Sequence, residues 1–457
     1  MYRSLLSNKF ALIGLVALGI LLPLSMIEDL VGERARFHEA AITDMARTAT
    51  GNQRIVGPVL RVPCTETRSV PIAHPAEDGP RERSVERDCS VAVLPELLSV
   101  DGTLVTEERR RGLHAALFYG NSLAVRARFV VPERFGVFDG DASTALGAAS
   151  LNLGISDPRG IVNAPQVSVA DQVVDFTPGS ALPVLGPGMR AALGQLHAGQ
   201  VLEVAFELVL RGHRRFELVP VGRDNQVTLG SAWPHPSFVG NYLPTTRDIS
   251  ADGFRAAWSI GHFATGLDEL FARHGLDPEF CAEIAQRAFG VALVDPVDLY
   301  TQADRAVKYG FLFVALTFLA LLGTEFARGL RLHPLQYTMV GIALALFFLL
   351  LLSLAEHLGF RSAYLAAAGA SDALLAFYLG AITRSRTVGA VFALTLAALY
   401  ALLYGILAME DYALLSGSLF VFGVLAAVMV ATRHVDFYAL GESLRRPGEG
   451  TAEDSPA

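Results

Sequence analysis

Five stretches in the C-terminal part of the chain, 309–326, 335–355, 362–383, 387–408 and 412–432, together hold only two charged residues, Glu325 and Asp372. A helix that faces water needs a polar side, and these stretches have none. About 20 apolar residues in a helix match the hydrocarbon thickness of a bilayer. The sequence is therefore that of a membrane protein, and the lipid bilayer is its first partner. A sixth run, 10–27, is also uncharged; it follows Arg3 and Lys9 and ends at Glu28 and Asp29. A cleaved signal peptide is the competing reading. Such peptides end in a small-residue site, whereas this run ends Leu24-Ser25-Met26-Ile27, so it reads as an uncleaved anchor.

The charges between the runs give an orientation. Arg328 and Arg331, Arg384 and Arg386, and Arg433 follow even-numbered runs, whereas Glu356 and the pair Glu410-Asp411 follow odd-numbered ones. Basic loops stay in the cytoplasm. Six helices then place both termini, 1–9 and 433–457, inside and residues 28–306 outside, in the periplasm of a bacterial inner membrane. Arg361 is the one exception. Lys308 sits where it can snorkel from the outer end of the second run.

Residues 28–306 read as an aqueous domain, although the whole chain is 52% hydrophobic and only 18% charged. The net charge of −8 and the lack of a basic patch with interleaved aromatics argue against nucleic acid as a partner. Phe37, Ala41 and Met45, four residues apart, predict an amphipathic helix over 28–50 that Gly51 ends. From about 55 to 260 the pattern turns to short alternating strands such as Leu123–Val131 and Val201–Leu210. Asp101-Gly102 and Gly120-Asn121 read as hairpin turns between strands. The polar segment Ala73–Arg87 reads as a loop. The expected fold class is an α+β membrane protein. It combines six transmembrane helices, one N-terminal and five C-terminal, with a mainly antiparallel, β-sandwich-like periplasmic domain.

The sequence holds three cysteines: Cys64, Cys89 and Cys281. Cys64 follows the apolar run Val56–Pro63 and Cys89 precedes Ser90–Leu94. On paired strands they would form a disulfide across a long hairpin, in an oxidising compartment; two free thiols is the alternative. No catalytic motif of the G-x-S-x-G, Walker A or H-E-x-x-H type occurs, and no cofactor is expected.

The candidate functional residues are few. A carboxylate at mid-bilayer costs about 2.5–3.5 kcal/mol on insertion scales, which singles out Asp372 as a proton or ligand relay. The bland reading is a neutral or hydrogen-bonded carboxyl. Glu356 and His357 lie at the outer end of the third run, and His333 in the cytoplasmic turn before it. In Trp233-Pro234-His235-Pro236-Ser237-Phe238 two prolines pin a histidine between aromatics, which is either a binding surface or a rigid corner that packs Trp233 inward.

These residues carry a resemblance. The chain resembles the CreD family, the inner-membrane "cell envelope integrity" proteins of Gram-negative bacteria. The likeness rests on Glu33-Arg34-Ala35, on Gly51 with Val56-Gly57-Pro58, and on Leu94-Pro95-Glu96 with Val100-Asp101-Gly102. It continues in Asp157-Pro158-Arg159-Gly160-Ile161, the Trp233–Phe238 motif, and Asp304-Arg305-Ala306 with Lys308-Tyr309. Arg331-Leu332-His333-Pro334 and Glu356-His357 with Gly359-Phe360 complete it. The resemblance implies membership of a two-component regulon responding to envelope stress, and a link to tolerance of colicins and β-lactams. It implies no catalytic residue, and the cysteines are not part of it. The expected function is thus non-enzymatic envelope maintenance, with the outer domain binding a periplasmic protein or envelope component. The alternative is a transporter or signal transducer using Asp372 and His333.

Overall fold

The computed structural model describes residues 2–72, 82–133, 143–169, 172–274, 277–294, 299–328, 332–408 and 413–433. The acidic turn Glu410-Asp411, Arg331 and the tail beyond 433 lie outside the described residues. The chain divides into two compact units, 1–39 with 297–457, and 40–296.

The 40–296 unit is built from strands. In chain order they are β1 (Gln53–Pro71), β2 (Glu82–Val93), β3 (Leu97–Arg111), β4 (His114–Val130), β5 (Ser143–Leu146), β6 (Ala148–Ile155), β7 (Gln166–Val169), β8 (Gln172–Asp175) and β9 (Thr177–Pro178). There follow β10 (Gly188–Gln195), β11 (Val201–His213), β12 (Arg215–Val219), β13 (Asp224–Ser231), β14 (Pro236–Gly240), β15 (Thr246–Ser250), β16 (Gly253–Gly261) and β17 (Phe289–Leu293). One sheet runs β14-β17-β12-β1-β6-β10-β9, with β2 and β5 also paired to β1; the other runs β15-β16-β13-β3-β4-β11-β7-β8.

Both sheets feed one hydrophobic core. It takes Val59, Leu60, Leu151 and Phe289 from the first sheet and Leu123, Phe129, Leu208 and Trp258 from the second. Alternation explains this, since every second side chain of a strand points to the same face. In β11 the even-numbered residues Leu202 to Leu210 are buried, and Val201, Glu203 and Glu207 are exposed.

The structure corrects several expectations for this unit. Most strand pairs are antiparallel, but β1 pairs β12 and β3 pairs β13 in parallel, so both sheets are mixed. Asp101-Gly102 lies in mid-strand. A side chain at Gly102 would come within 2.7 Å of Leu229 and 2.9 Å of Leu123, so close packing, not a turn, requires glycine there. Gly120-Asn121 likewise lies inside β4. The hairpin turns instead at Gly112, whose φ of 62° is left-handed. Of the expected loop Ala73–Arg87, residues Glu82–Arg87 belong to β2, paired to β1 as far as Pro71 opposite Glu82, and 73–81 lie outside the described residues. Three short helices, α3 (His262–Thr265), α4 (Leu267–His274) and α5 (Cys281–Gln286), close one end of this unit's chain.

The helical unit begins with α1 (Tyr2–Gly19) and α2 (Leu21–Thr48). Pro23 has no N–H to give to Gly19, which accounts for the break between them. Ile20 still donates to the Val16 carbonyl at 3.0 Å and Leu24 to that of Ile20 at 3.2 Å. The remaining helices are α6 (Leu299–Lys308), α7 (Gly310–Arg328), α8 (Pro334–Leu358), α9 (Phe360–Ile382), α10 (Arg386–Ala408) and α11 (Ala413–Thr432). Among the described residues, four helices are long and apolar enough to cross a membrane, or five if α6 and α7, bent by 45°, form one span. The second run, 309–326, corresponds to α7, and α6 precedes it across the 45° bend. Lys308, expected to snorkel, pairs with Asp304 at 2.6 Å. The uncharged helix α11 stands outside that count.

Aromatic rings fill the interior of this unit. Tyr400 stacks on Phe313 and Phe347 at 4.7 and 4.6 Å between centroids. Gly389 lets α10 approach α9, because a side chain there would meet the Ala376 carbonyl at 2.9 Å. Small residues at a contact give membrane helices this closeness.

Candidate functional sites

The outward face of the eight-stranded sheet carries a broad polar surface. Its rungs follow from the register. Ser99, Arg126, Ala205 and Ser168 lie side by side across β3, β4, β11 and β7, and Asp101, Ala124 and Glu207 form the next rung. Thr103, Ser122 and Val209 make a third. The centre is thus small side chains, and the charges of Asp101, Arg126 and Glu207 stand around it. Two open depressions of about 410 and 420 Å³ share Ala124, Arg126 and Glu207 in their lining. Small residues on a face of this kind leave room for an incoming group, while the charges and hydroxyls orient it. These residues occupy the polar half of the alternation, which the apolar pattern that marks the strands does not single out. The polar half of Leu123–Val131 and Val201–Leu210 was the available signal.

The structure scatters the candidates of the sequence analysis. Trp233 is half-buried against the core, and its indole N–H donates to the Val294 carbonyl at 2.9 Å. His235 is exposed, meets Trp233 edge-on, and accepts the Val294 N–H with its own carbonyl. Phe238 packs edge-on against Phe254 and Trp258. The motif therefore forms a corner leading into the edge strand β14, with its imidazole outside.

His333 caps α8. Its Nδ1 accepts from the Leu335 N–H at 3.2 Å, and the Gln336 side chain accepts from the His333 N–H at 2.9 Å. This reciprocal pair satisfies two amides at the start of the helix. Near it Glu325 is buried, accepting from the Tyr337 hydroxyl at 2.8 Å and from the Leu332 N–H at 3.3 Å.

Glu356 accepts from the Tyr300 hydroxyl at 3.3 Å, and the Tyr300 ring lies 5.2 Å from that of His38. Spacing alone had not linked His38 and Tyr300 to Glu356, since 262 residues separate the first pair. His357 is exposed and its Nδ1 faces the Ser353 carbonyl at 3.1 Å. Asp372 stands apart from all of these. Its Oδ1 is buried without a hydrogen-bond partner among the described residues. The preceding Ser371 accepts from the Tyr400 hydroxyl at 2.9 Å.

Cys64 and Cys89 face each other in the β1–β2 register and are joined as a disulfide, with Cα atoms 4.8 Å apart; Cys281 is free. Asp157 and Arg159 form a second polar centre. Asp157 accepts from the Gly51 N–H at 3.0 Å and from Arg159 Nε and Nη2 at 2.8 and 2.7 Å. Arg159 also donates to the Arg47 carbonyl at 2.7 Å, in the last turn of α2. The Arg159 hydrogen bonds, ahead of the Gly51 amide, hold the Asp157 carboxyl below the usual carboxylate range. Together these bonds fasten the end of α2 to the loop after β6. Among the described residues no group of three His, Cys, Asp or Glu side chains is placed to hold a metal ion.

A family model described as "Inner membrane protein CreD" matches residues 5–438. The chain belongs to the CreD family. The Inner membrane protein CreD of Escherichia coli (strain K12) is 35% identical over 450 residues, covering 97% of this chain and 96% of that one. The CreD assignment makes this a multi-pass inner-membrane protein, in keeping with its apolar helices. Solved structures give only distant likenesses. An M1 zinc metallopeptidase from Deinococcus radiodurans shows 10% identity over 36% of this chain and 38% of its own, with a TM-score of 0.19. Leukotriene A4 hydrolase from Saccharomyces cerevisiae shows 11% identity over 38% and 28%, with a TM-score of 0.20. Scores this low carry no argument for a shared fold or activity.

Proposed function

We propose that this CreD-family chain is a non-enzymatic inner-membrane protein that maintains the cell envelope. In this reading six helices anchor it, both termini are cytoplasmic, and the β-sandwich unit lies in the periplasm. The sandwich binds a periplasmic protein or envelope component across the outward face of its eight-stranded sheet. The observation that carries the reading is that face, with its small central residues ringed by Asp101, Arg126 and Glu207. A photocrosslinking residue placed at Ser99, Ala124 or Ala205 in cells under envelope stress tests it. Adducts at these positions, and none at Arg190 on the other sheet, are expected. Adducts of equal yield at all four positions would sink the proposal.

A second reading, transport or signalling through the helical unit, is favoured by one observation: the buried, unpartnered Oδ1 of Asp372. Asp372→Asn keeps the shape and removes the charge. Loss of an envelope phenotype in that variant, with crosslinking at the sheet face unchanged, would favour this second reading.

A further inference from the structure

Three charges on the outward face of the eight-stranded sheet have no partner in the fold. Asp101 on β3 and Glu207 on β11 each stand directly opposite Ala124 of β4. Neighbouring strands lie about 4.8 Å apart, so the two acidic residues straddle Ala124 with Cα atoms roughly 9.6 Å apart. Arg126 follows two residues along β4 on the same exposed face, about 6.7 Å from Ala124. All four side chains line one open depression of about 410 Å³, a volume within the range of small-ligand sites.

Diagonal neighbours across a sheet are within reach of a long side chain. Even so, among the described residues Asp101, Arg126 and Glu207 form no ion pair and no side-chain hydrogen bond. The arginines at the end of β3 differ: Arg109 pairs with Glu107 and Arg110 with Glu108. The unmatched charges read minus, plus, minus around a floor kept low by Ala124. Their complement carries an ammonium group above Ala124, between the two carboxylates, and a carboxylate on the Arg126 guanidinium, whose planar fork takes two parallel hydrogen bonds. Two extended residues span about 7 Å, close to the Ala124–Arg126 spacing, so the amine and carboxylate of a dipeptide reach their partners together. A neutral sugar would leave the charges unmatched, and a phosphate would face two carboxylates. A second depression of about 420 Å³ shares Ala124, Arg126 and Glu207 and continues past Gln166 and Ser168, where polar side chains meet the amides of a longer chain.

We propose that this depression binds short zwitterionic peptides, with the ammonium group between Asp101 and Glu207 and the carboxylate on Arg126. The inference rests on the sheet-face reading above and gives its envelope component a chemical class.

Saturation-transfer-difference NMR of the full-length chain in nanodiscs, titrated with dialanine, tests the site. Two analogues divide it: N-acetyl-dialanine lacks the ammonium group, and dialanine amide lacks the carboxylate. Wild type is expected to bind dialanine and to prefer it about five-fold over either capped form, the scale of one exposed ion pair. Arg126→Gln should bind dialanine and its amide alike while keeping its preference for the free amine. Asp101→Asn/Glu207→Gln should do the reverse, so the two opposite patterns exclude misfolding as their cause. Equal binding of dialanine and both capped forms by wild type would overturn the proposal, as would an unchanged preference in Arg126→Gln. Absence of dialanine binding, with crosslinks still formed at Ser99 and Ala124, would overturn this inference and leave the sheet-face reading standing. Absence of both would remove the two together.

Discussion

Removing the Cys64–Cys89 bridge has an effect whose size can be worked from the fold. The two cysteines are 25 residues apart. Chain-entropy arithmetic for a closed loop of that length gives about 3.5 kcal/mol at 25 °C. This is an upper bound, because β2 pairs only with β1 and part of the arm can open without disturbing the core. Cys64→Ala/Cys89→Ala is the right perturbation, since Cys64 is buried at 4% exposure and serine would bury a hydroxyl. Both tryptophans of the chain, Trp233 and Trp258, lie in the 40–296 unit, so tryptophan fluorescence reports melting of this unit alone. At about 2–4 °C per kcal/mol for a unit of this size, the double variant should melt several degrees, and up to about 14 °C, below wild type. Alkylation of the denatured, unreduced protein should mark one thiol, that of Cys281, and three after reduction. Melting within a degree of wild type, together with three thiols reactive before reduction, would refute the bridge.

Three further outcomes follow from named contacts. Asp157 has a folded-state pKa below its ordinary value, so its contribution is complete above the unfolded value of about 3.9 and is lost as pH falls through the folded one. The melting gap between wild type and Asp157→Asn should therefore hold from pH 7 to 5 and shrink below about pH 4; a gap unchanged at pH 3 contradicts the Arg159 pairing. Gly102→Val should cost about 1–3 kcal/mol by overpacking against Leu229 and Leu123, and adding Leu229→Ala should recover part of that loss, so the two changes together cost less than their sum; chemical denaturation of the full chain reads the difference, and strict additivity would contradict the packing. His333→Ala should destabilise the start of α8 by about 1 kcal/mol, the usual scale of a lost cap, while His333→Asn restores it. Amide exchange over Leu335–Thr338 measures both.

Much of the fold was legible because it rests on simple periods. Six long runs with only Glu325 and Asp372 charged among them gave the apolar helices, and the alternation of Leu202, Val204, Phe206 and Leu208 gave strands with one buried face. What was not legible has physical reasons. The pairing of β1 with β12 joins Gln53 to Phe216, and no local pattern records a partner that distant. Asp101-Gly102 has the composition of a turn, but the glycine is there for the space it leaves between Leu229 and Leu123. Glu82–Arg87 looked like a loop because this stretch of the edge strand β2 is mostly exposed and needs no apolar stripe. Sites were harder still. His333 stood out as chemistry and is a helix cap, while the sheet face hid among ordinary polar positions of the strands.

The account turns on which side of the membrane the sandwich occupies. In a chain with its native cysteines replaced by alanine, a single cysteine at Ser122 or at Ser385 can be labelled with a membrane-impermeant thiol reagent. The account predicts that Ser122→Cys is labelled in intact spheroplasts and Ser385→Cys only after lysis. Labelling of Ser385→Cys in intact spheroplasts, with Ser122→Cys protected until lysis, would contradict it.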